Sequence, residues 1–399
     1  LNVATGGRAG TGSGVDRRGM AGLSFGHLFT DLNQGAVAAL IPFLIAERGI
    51  SLTAAGALVL AATLSSSVVQ PLFGIFSDRR SLSVLMPLGL LLGGVGIALV
   101  GVAPNYTTIF LCIVLSGIGV AAFHPEGARF ANYVSDGRGR ARGMSYFSVG
   151  GNAGFALGPA LTTPLVLAFG LPGTLFLVVP AALMAAVLFA ELPRLSTFRP
   201  EKASRSASPG VAKPGVVPGR WFPFVRMVTV VVIRSFVYFG LVAFVASYYV
   251  QNLGTSAAFG NTALTVMLAS GAVGTLALGG VADRFGRRTV LAGTMLVAAP
   301  LIYAFTLSGP VFGAVLLGLV GACLIGTFGV TVVMGQEYLP HRIGLAAGIS
   351  LGLSIGIGGV GATSLGAFAD AFGLENMILL LAVLPVLGFL LTLTLPKKV

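Results

Sequence analysis

Several titratable side chains of this chain sit inside long apolar runs, where charge is costly and usually functional. Asp31 and Arg234 are the deepest of them. A buried Asp31 is a candidate proton carrier, and the alternatives are a partner for Arg234 or an N-cap in a broken helix. The planar guanidinium of Arg234 suits an anionic group, phosphonate or carboxylate, held by forked hydrogen bonds. A structural ion pair is the other reading. His27 lies one helical turn before Asp31, on the same face. His124 and Glu126 lie at a matching depth in another run, around Pro125, which weakens the helix and frees a carbonyl. A His27/His124/Glu126 cluster could shuttle protons, bind a metal, or form a hydrogen-bonded gate in which Glu126 pairs Arg129. Gate plus shuttle is the favoured reading, and no metal site is assigned. Glu337 reads as an interfacial gate residue. Gln70, Asn152 and Tyr238 are polar side chains in apolar runs. Asn152, between glycines, is expected to bond across packed helices, although with Gln70 it stays a substrate-binding candidate. Tyr238, one turn beyond Arg234, is expected to line the binding site. Cys112 and Cys323 read as small apolar residues with no disulfide.

The elements that position these groups follow from composition. Of 399 residues, 55% are hydrophobic and 9% charged, with 58 glycines. A soluble domain is about 25% charged, so a set of soluble domains is excluded. Disorder, a collagen repeat and a disulfide scaffold are excluded by high hydrophobicity, aperiodic glycine and two cysteines. A membrane helix needs about 20 mostly apolar residues. Twelve such runs are predicted: Leu23–Ala46, Ala54–Phe76, Val84–Val102, Thr107–Phe130, Arg142–Phe169, Thr174–Leu192, Phe224–Val250, Phe259–Ala282, Thr289–Leu307, Val311–Gln336, Gly344–Phe372 and Glu375–Leu395. No cleaved signal is expected before the first run. Leu1 and Met20 are alternative starts. At about 1.5 Å per residue, Asp31 lies about 12 Å inside the first run and Arg234 about 15 Å inside the seventh.

The net charge of +12 comes from 24 basic and 12 acidic residues. With the N-terminus inside, 21 of the 24 basic residues fall in cytoplasmic segments and only Arg48 in an outer loop, while Arg129 and Arg234 fall within runs. That bias places both termini in the cytosol. It also argues against nucleic acid, which would need the charge on one packed face. Residues 1–20 are expected to be a disordered cytoplasmic tail. Residues 21–192 and 224–396 form two six-helix bundles, and the Pro-, Ser- and Arg-rich residues 193–223 a flexible cytoplasmic linker.

The halves repeat. Gly74-Ile75-Phe76-Ser77-Asp78-Arg79-Arg80 follows the second run. Gly279-Gly280-Val281-Ala282-Asp283-Arg284-Phe285-Gly286-Arg287-Arg288 follows the eighth. The second copy resembles G-x-x-x-D-R-x-G-R-R, the loop signature of the major facilitator superfamily, and the first a truncated form of it. The carboxylates Asp78 and Asp283 can face a neighbouring helix N-terminus, while Arg79, Arg284 and Arg287 anchor to the cytosolic interface. Gly74, Gly279 and Gly286 complete the motif. The resemblance implies an all-α membrane protein with the major facilitator fold: twelve transmembrane helices in two six-helix pseudo-repeats around a central cavity. The motif copies are 205 residues apart, which makes Arg234 the near-counterpart of Asp31. In that superfamily the first, fourth, seventh and tenth helices line the cavity, so Asp31 and Arg234 are expected to face each other across it. Substrate anion and Asp31 would then compete for Arg234.

A closer resemblance is carried by Gly26-His27-Leu28-Phe29-Thr30-Asp31, Gln70-Pro71, Phe123-His124-Pro125-Glu126-Gly127-Ala128-Arg129, and Gly150-Gly151-Asn152-Ala153-Gly154-Phe155-Ala156-Leu157-Gly158-Pro159. These are similar to the fosmidomycin-resistance efflux proteins, most strongly over about residues 25–160. The resemblance implies proton-driven export of a small anionic or amphipathic drug-like compound, such as a phosphonate antibiotic, from a bacterial cytoplasmic membrane. The expected partners are a small-molecule substrate, protons and the lipid bilayer. No cofactor beyond the proton gradient is expected, and the protein is expected to be a monomer. One departure matters: where many proton-coupled drug antiporters carry an arginine early in helix four, this chain has Ile113, with Ser116-Gly117 at their Gln-Gly pair. Other residues must carry the protons. The alternatives are an importer of an organic anion or sugar in the same fold, and a membrane receptor or enzyme. Against the last, no loop could hold a soluble domain and no nucleotide motif or polar triad occurs.

Overall fold

The computed structural model describes residues 14–79, 82–135, 140–198, 220–342, 345–346 and 349–396, without the side chains of 74–79, 140–141, 351 and 353. Among the described residues, twelve helical segments are long and apolar enough to cross a membrane. Spans one to six are Arg17–Arg48, Leu52–Phe73, Leu85–Val102, Tyr106–Tyr133, Arg142–Phe169 and Leu171–Ser196. Spans seven to twelve are Trp221–Gln251, Ala257–Phe285, Arg287–Thr306, Pro310–Tyr338, Ser354–Phe372 and Leu374–Leu393.

Local chemistry sets several boundaries. Span one starts earlier than the hydropathy predicts, at Arg17, because Asp16 caps it by accepting from Gly19 N at 2.7 Å. Arg194 of span six holds that same carboxylate at 2.8 Å, and Val15 bridges Ser135. Residues 17–20 therefore belong to the helix and not to the tail expected over 1–20, whose residues 1–13 lie outside the described residues. Span one ends at Gly49, whose φ of 60° suits a left-handed cap. Span four opens on a capping box between Asn105 and Thr108, and span eight on Ser256, which accepts from Phe259 N. The linker expected over 193–223 is helical at both edges, to Ser196 and from Trp221; its centre, 199–219, lies outside the described residues.

Span three ends in a 3-10 turn at Val100–Val102 and span six opens on one at Leu171–Leu177; spans ten and eleven depart further from continuous α-helix. Span ten is broken at Thr327, between Pro310–Gly326 and Phe328–Tyr338. Span eleven, predicted as one helix from Gly344, begins regular α-helix at Ser354 after a π-helical turn at Ile349–Leu353. Such turns recur at functional sites.

The packing repeats with the sequence. Span one packs on span five as seven packs on eleven; two on four as eight on ten; three on six as nine on twelve. Between the halves, two meets eleven and eight meets five. The one–five contact is close because Gly150, Gly154 and Gly158 face backbone: a Cβ on them would lie 2.3 Å from Ser24 O, 2.0 Å from Leu28 O and 2.4 Å from Gly35 C. Hydrogen bonds join the halves at the end of the bundle opposite the termini. There Asp370, at the end of span eleven, accepts from Leu52 N at 2.9 Å and from Thr53 N at 2.8 Å, the first residues of span two. Asn261 of span eight donates to Ala39 O at 3.0 Å and Thr163 Oγ1 at 2.9 Å.

Candidate functional site

Three residues from two spans form the principal cluster. His27 and Asp31, four apart on span one, stack on one face, with His27 Nε2 at 3.2 Å from Asp31 Oδ2. His124 comes across from span four, its Nε2 at 3.3 Å from Asp31 Oδ1 and 3.2 Å from His27 Nε2. The other ring nitrogen of each histidine is committed to a backbone carbonyl: His27 Nδ1 to Phe147 O at 2.7 Å, His124 Nδ1 to Val120 O at 2.8 Å. A carbonyl oxygen only accepts, so both Nδ1 atoms carry hydrogen and donate. In the neutral rings both Nε2 atoms are then lone-pair acceptors, aimed at each other and at a carboxylate. Three acceptors with no donor between them repel, so the arrangement requires a cation. One proton on either Nε2 supplies a single N–H donor among the three; a second turns both rings into donors around one carboxylate. The same three ligand atoms lie within 4.8 Å of one another, close enough for a metal ion.

The surroundings hold this geometry. The His27 ring stacks on Phe147, centroids 4.1 Å apart. Gly151 of span five fits against the cluster because it lacks a side chain: a Cβ there would lie 2.5 Å from His27 Nε2 and 2.6 Å from Asp31 Oδ2.

Glu126 does not join the histidines, contrary to the expected His27/His124/Glu126 cluster. Residues two apart on a helix point to different faces, and His124 takes the face toward span one. Glu126, fully buried, instead pairs with Arg129 and accepts from Leu82 N at 3.2 Å, in the segment between spans two and three. Asp31 takes the place the expected cluster gave to Glu126.

The second site is Arg234 on span seven, 1% exposed. Its Nη1 donates to Thr327 Oγ1 at 3.1 Å, at the break in span ten, and to Thr331 Oγ1 at 3.3 Å, one turn beyond it. Its guanidinium lies over the Phe328 ring, 4.0 Å from the centroid, an attractive cation–π contact. Nε and Nη2 are buried with no hydrogen-bond partner among the described residues. No described carboxylate lies within 4.0 Å of it, so the structural ion pair with Asp31, the alternative reading, is not formed; Asp31 is engaged by two histidines of its own half. An arginine at the centre of a membrane helix costs about 2.5–3.5 kcal/mol on insertion scales. Two threonines and a ring face offset part of that and leave the charge uncompensated. The sites occupy equivalent places, one and four in the first half, seven and ten in the second.

The comparisons with known proteins agree with this architecture. The family model described as Major Facilitator Superfamily matches residues 23–350. The chain belongs to the major facilitator superfamily. It is 34% identical over 376 residues to an uncharacterised MFS-type transporter, YfnC, of Bacillus subtilis (strain 168), covering 91% of this chain and 89% of that one. It is 32% identical over 384 residues to the fosmidomycin resistance protein of Escherichia coli (strain K12), covering 95% and 93%. Among solved structures, a bacterial homologue of the human lysosomal transporter Spinster, inward-facing and unoccupied, superposes with a TM-score of 0.79 at 15% identity, covering 95% of this chain and 97% of that one. The chain is thus a multi-pass membrane transport protein of this superfamily and not an enzyme.

The superfamily loop motif is seen in its second copy. Gly286 adopts φ 89°, a region that favours glycine, and so turns the chain directly from span eight into span nine. Arg287 then reaches Glu337 at the end of span ten, at 2.6 Å, and Asp283 at 3.4 Å. Glu337 is therefore bound to the motif loop. Arg284 lies over its neighbour Phe285, and Gly279 has open space around it. Gly74, Asp78 and Arg79 end the helix of span two, but their side chains lie outside the described residues.

The remaining candidates are dispersed. Tyr238 stands edge-on to Phe328, centroids 5.9 Å apart, on the ring that Arg234 covers. Gln70 and Asn152 are half-buried and make no side-chain hydrogen bond among the described residues, so the cross-helix bond expected of Asn152 is not formed. Cys112 and Cys323 are free thiols. Phe147, Gly151, Thr327, Phe328 and Thr331 are site residues that the sequence reading passed over. Only Gly151 carried a signal, inside the glycine-rich motif of span five.

Proposed function

We propose that this transporter is a proton-coupled exporter, an antiporter that exchanges protons for a small anionic or amphipathic compound. The carrying observation is the His27–Asp31–His124 cluster: three acceptors close enough for a shared proton to relieve their repulsion. Such a site can take protons from one side of the membrane and release them on the other as spans one and four change partners. Pro125 supports this, since its missing N–H loosens span four beside His124. The relative named for fosmidomycin resistance supports export of a phosphonate antibiotic. The 21-to-1 distribution of basic residues supports cytosolic termini in a bacterial cytoplasmic membrane. In that orientation the end latched by Asp370 and Asn261 faces outward. The protein works as a monomer, with the proton gradient as its only energy source.

The test uses purified protein in vesicles with an imposed pH gradient. Phosphonate moves against its own gradient, and an uncoupler stops it. Asp31→Asn abolishes uphill movement while counterflow exchange persists. Uphill movement preserved in Asp31→Asn removes this residue from the coupling scheme. Accumulation of labelled substrate by intact cells, in place of extrusion, rejects export.

A further inference from the structure

Arg234 is a buried cation with one edge unused. Its Nη1 is spent on Thr327 and Thr331, and one face of the guanidinium plane on Phe328. What remains are the Nε and Nη2 hydrogens, buried and without a partner among the described residues. These are two parallel donors on the same edge, spaced to meet two oxygens of one acid group. A halide has no such pair of oxygens, and a neutral sugar hydroxyl does not compensate the charge.

The geometry points to this edge as the anion subsite of the transporter, binding one carboxylate or tetrahedral phosphonate oxyanion side-on. The inference rests on the transporter reading only in taking the ligand for cargo. Tyr238 and Arg234 share the Phe328 ring, so the guanidinium sits among aromatic side chains that suit an apolar portion of the ligand. The cargo this subsite takes is therefore an amphipathic acid. Arg234 is 1% exposed, so the subsite is enclosed in this conformation. The break at Thr327 is where span ten can move aside to load it, since the helix already lacks continuity there.

The test is binding by purified protein in neutral-lipid nanodiscs, with no gradient present. The probes are propylphosphonate, butyrate, chloride and the uncharged dimethyl ester of propylphosphonate, followed by calorimetry and thermal shift. Propylphosphonate and butyrate are expected to bind and raise the melting temperature, while chloride and the ester do neither. Arg234→Lys keeps the charge and loses the fork, and is expected to weaken propylphosphonate at least tenfold. Arg234→Met abolishes binding; where that variant fails to give a monodisperse protein, Arg234→Lys alone carries the comparison. Equal affinity in Arg234→Lys, protection by chloride matching that by phosphonate, or no binding by either acid overturns the assignment. The absence of a gradient separates this from the coupling scheme. Phosphonate binding without coupled proton movement leaves the fork standing and rejects the antiporter; coupled movement without an Arg234-dependent acid site does the reverse.

Discussion

His27 and His124 present their Nε2 atoms to each other at 3.2 Å, while both Nδ1 hydrogens are held by the carbonyls of Phe147 and Val120. The second fact makes the first informative. With the Nδ1 positions committed, a proton leaving the cluster must leave from Nε2 or from Asp31, and its loss sets three acceptors against one another.

His124→Gln tests this. A glutamine amide places a permanent N–H donor near the former Nε2, so Asp31 is satisfied without a proton. Gradient-driven transport by the native protein is expected to vary with pH, and the variant to lose most of that dependence while keeping downhill exchange. Flux measured across a series of matched internal and external pH values decides it. An unaltered profile places the coupling proton elsewhere.

Gly151→Ala tests the packing behind the cluster. The added methyl would sit 2.5 Å from His27 Nε2, so helix five or the imidazole must shift. Overpacking costs about 1–3 kcal/mol, which a protein of this size can absorb while losing the cluster geometry. Coupled transport is expected to fall by at least tenfold with the protein still folded. Gly293→Ala is the control, because its Cβ would meet nothing within 4 Å. Equal transport in both variants would show that the His27–Asp31 geometry is not critical.

Much of the fold was legible because hydropathy and charge placement are properties of single segments. The twelve runs and the two-half repeat are of that kind. The pairing of His27 with Asp31 was legible as well, since a four-residue step is local geometry. The arrival of His124 was half legible: its depth matched, but the rotation of span four did not show, and Glu126 was wrongly placed beside it. Helical geometry alone excludes residues 124 and 126 from one face. The opposition of Asp31 and Arg234 followed from the repeat, yet equivalent depth does not bring two side chains together, and each is engaged within its own half. The break at Thr327 left only a weak trace, the glycines 326 and 329 in an otherwise apolar run.

Arg287 and Glu337 offer a test of the loop motif. Their side chains are 32% and 33% exposed at 2.6 Å, so the ion pair contributes only about 0.2–1 kcal/mol to stability. Its expected role is in setting when the loop between spans eight and nine releases span ten. Arg287→Ala and Glu337→Ala should each slow transport by a similar factor, and the double variant should be no slower than either. Multiplying effects in the double variant would show that the two residues act separately.

Asp370 makes the sharpest prediction about conformation. Its carboxylate takes the first two backbone N–H groups of span two and, at 2.6 Å, the hydroxyl of Thr53, so one half of the protein caps a helix of the other. Removing an N-cap acceptor costs about 0.5–2 kcal/mol, equivalent to a shift of roughly 2- to 30-fold in a two-state equilibrium at 1.4 kcal/mol per decade. Because the cap exists only while spans two and eleven touch, Asp370→Ala removes that stabilisation from the closed state and leaves the opened state as it was. Spin labels at Leu167 and Thr262, both exposed, on the neighbouring spans five and eight that pack together, in a background lacking Cys112 and Cys323, report the separation of the halves. The variant is expected to move population toward longer distances, and Asp370→Asn, which keeps one acceptor oxygen, to fall between it and the native protein. An unchanged distance distribution in Asp370→Ala would show that the glycine-lined contact of Gly56 and Gly366, where a Cβ would lie 2.4 Å from Ala362 O and 2.3 Å from Leu52 O, holds that end closed without the cap.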